Sequence, residues 1–296
     1  MSRRSTPLTD LLAHGPLLLD GALATALFAK GLERDRPADL WNVERPEEVD
    51  QVHESHRRAG SQVLQTNTFR SNALALKSLG CPGRVEGFNR RGAAIALECA
   101  ARTPSPDRPL VAGNIGPSGK RMQSGASGQE WTDAFAEQAE ILAAAGVDYL
   151  GLETFTDLEE ARVALAAARD ATGLEVSVSL TLTETGGDSP TPLGGTLAIC
   201  MGTLATGGAT ALGLNCCSTE ELLSALPECL GATHRPLLLR PNAGLPREES
   251  GQWIYPQGPE EFARQMAQAV HRGAAGVGGC CGTDASFTRA LREALG

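Results

Sequence analysis

Short apolar runs alternate with longer stretches of helical period along this chain. Seven of the runs are Leu17-Leu18-Leu19, Gln62-Val63-Leu64, Leu110-Val111-Ala112, Tyr149-Leu150-Gly151-Leu152, Val176-Ser177-Val178-Ser179-Leu180, Ala211-Leu212-Gly213-Leu214 and Leu237-Leu238-Leu239. The eighth, Ala275-Gly276-Val277, runs into Gly278-Gly279-Cys280-Cys281-Gly282-Thr283. Apolar runs of this length, bounded by turn-forming residues, read as buried strands. Between them, apolar residues three and four apart predict helices over 46–59, 84–101, 132–145, 158–171, 219–230, 259–272 and 286–295. Gly60 is a C-cap signal for the first, and Gly146, Gly173, Gly231 and Gly273 are read as stops for four others. Strand followed by helix, repeated along the chain, predicts an α/β fold: one (β/α)8 barrel over residues 1–296. A doubly wound open sheet is the competing arrangement, and it lacks its glycine-rich dinucleotide fingerprint after the first strand.

Composition narrows the function classes. The 296 residues are 42% hydrophobic and 21% charged, ordinary for a soluble globular protein. The net charge of −9 leaves no basic footprint for nucleic acid or an anionic membrane. No apolar run approaches the ~20 residues of a membrane helix, and Asp10, His14 and Asp20 interrupt any secretory apolar region near the start. Eight cysteines in a chain this long do not form a disulfide scaffold and fit a reducing compartment, so a cytoplasmic protein is expected. Two loops after strands are long enough to be lids over the barrel mouth or plain surface loops, 118–128 and 183–194.

The paired cysteines carry the sharpest chemistry. Neighbouring cysteines bond to each other poorly, and a strand would point them to opposite faces. A tight turn among glycines aims both sulfurs at one point instead. Thiolates converging on one point suit a soft metal, most often zinc. Cys216, in Gly213-Leu214-Asn215-Cys216-Cys217, is the best further ligand. Cys81, Cys99, Cys200 and Cys229 read as small buried apolar residues. Cys217 is a spare thiol, a packing residue behind Cys216, or the fourth ligand of a closed structural zinc site. A thiol oxidoreductase is disfavoured because no Cys-x-x-Cys pair occurs.

In a (β/α)8 barrel the strand C-termini surround one pocket. Here they supply Asp20, Gln65 to Thr68, Asn114, Glu153, Asn215, Cys216, Asn242 and the cysteine pair. The carboxylates Asp20 and Glu153 suit acid–base work or an ammonium group, and Asp20 also suits a helix N-cap.

Gly213-Leu214-Asn215-Cys216 together with Gly278-Gly279-Cys280-Cys281-Gly282-Thr283 resembles the metal signature of the homocysteine S-methyltransferases. The likeness extends over nearly the whole chain. Leu19-Asp20-Gly21-Ala22 with Thr25 resembles the family's opening strand, although Ala24 stands where a glycine is usual. Gln65-Thr66-Asn67-Thr68-Phe69 is similar to the form in the homocysteine half of cobalamin-dependent methionine synthases. Leu40-Trp41-Asn42 before Pro46 is similar to bacterial betaine–homocysteine methyltransferases. Glu153-Thr154 and Pro241-Asn242-Ala243-Gly244-Leu245-Pro246 match further blocks.

The resemblance implies zinc held by Cys216, Cys280 and Cys281, with the homocysteine amino group on Asp20 and Glu153. Thr66 and Asn67 would line the same pocket. The implied partners are small molecules, homocysteine and a methyl donor. A small onium donor of betaine or S-methylmethionine type is expected, with a separate corrinoid-carrying partner as the alternative. For an onium methyl the aromatic face of Trp41 is the expected contact, and a hydrophobic plug is its other reading.

Overall fold

The computed structural model describes residues 8–119, 128–182, 195–249 and 252–296. In chain order, helix α1 (Leu8–Leu12) leads into β1 (Leu17–Leu18), α2 (Ala24–Ala29), a 3-10 turn (Ala38–Leu40), α3 (Trp41–Glu44) and α4 (Pro46–Ala59). Then come β2 (Val63–Gln65), α5 (Ala73–Ser78), α6 (Val85–Ala100), β3 (Leu110–Ile115), α7 (Gly128–Ala145), β4 (Tyr149–Phe155) and α8 (Leu158–Thr172). The chain continues with β5 (Val176–Leu180), α9 (Leu197–Thr206), β6 (Ala211–Asn215), α10 (Thr219–Ala232) and β7 (Leu237–Arg240). A hairpin of β8 (Arg247–Glu249) and β9 (Gln252–Ile254) precedes α11 (Pro259–His271), β10 (Gly276–Val277) and α12 (Ala285–Leu295).

Strands β1 to β7 and β10 form one parallel sheet in which β10 lies between β7 and β1. A parallel bridge from Leu19 to Val63 joins β1 to β2 and closes the sheet into a (β/α)8 barrel. Side chains alternate across each strand. Leu17, Leu19, Val63, Leu110, Ala112, Tyr149, Ala211 and Leu238 pack together inside the barrel, and Leu8 of α1 joins them. Their neighbours Leu18, Leu64, Val111, Leu150, Val178, Leu212 and Leu239 face outward under the helices. The lower interior is therefore apolar, and the same parity turns Gln65, Asn114, Glu153 and Arg240 inward one step higher.

Short loops follow three of the strands that reach the pocket, and each ends on a helix cap. Asp157 caps α8 by accepting from the Glu159 and Glu160 amides. Ser218 and Glu221 form a reciprocal capping box on α10, and Asp284 caps α12. The caps fix where the chain turns only a few residues beyond Glu153, Cys216 and Cys281.

Candidate functional site

Strand β6 delivers Cys216, and the turn after β10 delivers Cys280 and Cys281. Cys216 has φ +59°, a left-handed conformation uncommon outside glycine. Its amide donates to the Arg240 carbonyl at 3.1 Å, and its own carbonyl accepts the Thr181 hydroxyl at 3.3 Å. Across the pocket Thr154 is also left-handed, at φ +64°. The Asn215 side chain braces it, accepting from the Thr154 amide at 2.9 Å and donating to its hydroxyl at 2.7 Å. The Cys280 amide donates to the Pro241 carbonyl at 2.8 Å. Thr283 closes the cysteine turn, its hydroxyl donating to the Cys280 carbonyl at 2.7 Å. Gly278 is required where β10 meets β1, because a Cβ there would lie 2.7 Å from the Asp20 carbonyl oxygen.

These constraints bring the sulfurs of Cys216, Cys280 and Cys281 within 4.8 Å of one another. Tetrahedral zinc with Zn–S bonds of ~2.3 Å holds sulfurs roughly 3.8 Å apart, so small side-chain adjustments let this set take a metal. Hydrogen bonds from Cys216 and then Cys280 hold the Cys281 thiol well below its ordinary value, with the Tyr255 phenol adding another. Bonding to Cys280 and Cys281 pushes the Cys216 thiol up. Cys217 is 2% exposed, burial pushes its thiol up to about 12, and its sulfur is outside the cluster. Among the described residues the cluster has three protein sulfurs, and Cys217, considered as a fourth, is not one of them.

A polar layer lies beside the sulfurs. Asp20 is 1% exposed, accepting from the Gln65 amide at 2.8 Å through Oδ2 and from Arg240 Nη1 at 2.9 Å through Oδ1. Glu153 accepts from Gln65 Nε2 at 3.0 Å and from Asn114 Nδ2 at 2.7 Å. Burial raises the Glu153 carboxyl above its ordinary value, opposed by Arg240, whose Nε is 4.0 Å away. Glu153 reaches this position where the β4–β5 register shifts between Leu152 and Phe155. Buried oxygens of Asn114 and Asn242 have no hydrogen-bond partner.

The residues expected from sequence divide into two groups. Cys216, Cys280, Cys281, Asp20 and Glu153 come together. Thr66 is fully buried beside them, but its hydroxyl accepts from the Asn114 amide at 2.9 Å and bonds Thr68, tying β2 to β3. Asn67 turns the other way, donating to the Ala38 carbonyl and to Asn42 Oδ1. Trp41, expected to face the donor or to plug the gap between loop and barrel, is packed. Its ring is 3% exposed among Leu27, Leu32, Val49, Val52 and Ile95, and Arg45 lies 4.9 Å over it. The two expected lid loops fall almost wholly at 120–127 and 183–194, outside the described residues.

Arg240 and Tyr255 are the site residues that the sequence reading missed, whereas Gln65 lies at the pocket as its strand-end position implied. For Arg240 a signal existed. It lies two positions after the interior apolar residue Leu238, and strand parity turns it inward. Tyr255 follows an unforeseen hairpin. Its ring lies on Gly282, where a Cβ would come within 2.1 Å of Tyr255 Cγ.

The sequence profile of homocysteine S-methyltransferase matches residues 17–295. The chain belongs to that family. A solved structure similar to this member is the metallated form of the homocysteine methyltransferase MmuM from Escherichia coli. The two are 28% identical at a TM-score of 0.80, over 97% of this chain and 99% of that one. The methionine synthase of Mycobacterium tuberculosis is 30% identical over 98% of this family member, and that of Mycobacterium leprae 29% identical over the same share. The chain spans about a quarter of the length of each mycobacterial relative, 25% in both cases.

Proposed function

We propose that this chain is a zinc-dependent homocysteine S-methyltransferase, moving a methyl group from a small onium donor to the homocysteine sulfur to give methionine. Three converging sulfurs, with no fourth protein ligand among the described residues, beside the buried Asp20 and the half-buried Glu153 carboxylates, support this most directly. Cys216, Cys280 and Cys281 would hold the metal. A bound zinc would keep the acceptor sulfur as a thiolate at neutral pH, where a free thiol with a pKa of ~8.5 is mostly protonated.

This chain's own residues supply the remaining elements. Glu153, held by the Gln65 and Asn114 amides, and Asp20, fixed by Arg240 and the Gln65 backbone, take the substrate ammonium. Thr66 steadies the Asn114 backbone from which one of those amides projects, and Asn67 anchors the loop beyond it. Asn215 holds the turn that follows Glu153. In the transfer the acceptor sulfur forms a bond to the methyl carbon as the donor's bond to that carbon breaks. The electron pair leaves on the donor's nitrogen or sulfur. Opposite charges cancel along this path, which a low-dielectric pocket favours, and alignment of the two reactants supplies further acceleration.

Similarity to a quarter-length segment of methionine synthases supports a second reading, in which a separate corrinoid-carrying protein brings the methyl group. A donor panel with homocysteine, scored by methionine formed, separates the two. Turnover with betaine or S-methylmethionine is expected. Turnover with the methylated corrinoid carrier alone would select the second reading, and no methionine from any donor would reject both.

A further inference from the structure

Arg240 closes β7 with its side chain inside the barrel, 6% exposed. Its Nη1 donates to Asp20 Oδ1 at 2.9 Å. Its Nε is buried and makes no hydrogen bond, the Glu153 carboxylate being 4.0 Å away. No described residue takes a hydrogen bond from Nη2 either. Nε and Nη2 form one edge of the guanidinium, with two parallel N–H groups spaced for the two oxygens of a carboxylate. A buried guanidinium with that edge unpaired is costly, so the pocket is built to receive an anion there.

Neither protein carboxylate makes a hydrogen bond to that edge. Asp20 is held on the opposite side, and Glu153, tied down by two amides, faces Nε only as a loose ion pair at 4.0 Å. The position is also next to the sulfurs. The Arg240 carbonyl accepts the Cys216 amide, and the following Pro241 carbonyl accepts the Cys280 amide.

We infer that the Nε/Nη2 edge of Arg240 is the subsite for the α-carboxylate of the acceptor, so that the pocket selects carboxylate-bearing thiols. The inference rests on the reading of this chain as a thiol methyltransferase. A zwitterionic thiol seated this way turns its ammonium to Glu153 and Asp20 and its carboxylate to Arg240. Every buried charge in the layer then has a partner, and no net charge enters the pocket.

The test measures calorimetric binding of three thiols to the zinc-loaded full chain: homocysteine, 3-aminopropanethiol, which lacks the carboxylate, and 4-mercaptobutanoate, which lacks the ammonium. The wild type is expected to bind homocysteine at least about 10-fold more tightly than 3-aminopropanethiol. Arg240→Lys keeps a cation for Asp20 but loses the paired N–H edge. It should erase about 10-fold of that preference and weaken 4-mercaptobutanoate in parallel, with 3-aminopropanethiol changed less than about twofold. Zinc content and circular dichroism of the variant report its folding.

Equal wild-type affinity for homocysteine and 3-aminopropanethiol would overturn the subsite without any variant. So would an unchanged preference in folded Arg240→Lys, leaving the methyltransferase reading intact. A wild type that binds none of the three thiols would overturn that reading as well.

Discussion

Cys216 and Thr154 both adopt left-handed backbone, and Asn215 links them, being the neighbour of one and the hydrogen-bond partner of the other. A β-branched residue at positive φ persists only where its surroundings over-determine it. The cysteines were legible because adjacent thiols among glycines have few other uses. Arg240 is legible only by parity from Leu238, because a charged residue closing a strand carries no pocket signal of its own. The polar neighbours of Trp41 in sequence hide its packing, since the ring lies across α2, α4 and α6. Buried titratable groups also set how this protein responds to pH. Asp39 accepts from the Arg70 amide and the Ser71 hydroxyl, and burial raises its carboxyl to about 6. The folded chain thus binds more protons than the unfolded one between roughly pH 4 and 6, and Asp39 makes stability fall as pH rises through that window. Burial lowers His53 to about 4, so the unfolded chain binds more protons between roughly pH 4 and 6.5, and His53 makes stability fall as pH drops. The two slopes oppose each other. Asp39→Asn is expected to unmask the histidine, giving a steeper loss of stability on acidification from pH 6.5 to 4 than in the wild type. Urea midpoints across that range check it, and identical profiles would mean that Asp39 is not held protonated.

Among the elements, helices with one apolar stripe were placed to within a few residues. Helix α4 spans Pro46–Ala59 as expected and ends on left-handed Gly60. The expected stop at Gly231 fails, because α10 continues through it to Ala232. Helix α9 was not foreseen. Its sequence LAICMGTLAT is apolar on nearly every side, so no stripe marks it. The hairpin β8–β9 was missed because Arg247, Glu248 and Glu249 are exposed and carry no buried face. Strand β6 shows how closely the barrel interior is packed. A Cβ on Gly213 would lie 2.0 Å from the Leu238 carbonyl oxygen and 2.7 Å from Ser179 Oγ. Gly213→Ala must therefore push β7 aside, the strand that carries Arg240, and is expected to destabilise the fold by about 1–3 kcal/mol. Gly202→Ala in α9 meets nothing within 4 Å and should be stabilising by about 0.5–1 kcal/mol. Urea denaturation of both variants tests the contrast, and equal effects would mean that the β6–β7 contact is not limiting.

In the whole molecule, barrel closure turns eight separate strand ends into one polar pocket over an apolar plug. Helix α1 seals the opposite end through Leu8, and among the described residues no helix is long and apolar enough to cross a membrane. Both the alternation of strands with helices and the convergence of strand ends on one pocket were readable from sequence. Distances were not, because Cys216 and Cys280 are far apart in the chain and meet only through the β6–β7–β10 pairing. Under the proposed function, these cysteines and Cys281 form a three-sulfur zinc site whose remaining position receives the acceptor thiol. Zinc K-edge X-ray absorption of the zinc-loaded chain tests this most directly, with Cys216→Ser as the variant expected to lose the metal. One zinc per chain is predicted, with three sulfurs and one lighter atom before homocysteine is added and four sulfurs after it. Four sulfurs before any thiol is added, or three that stay unchanged at saturating homocysteine, would contradict it.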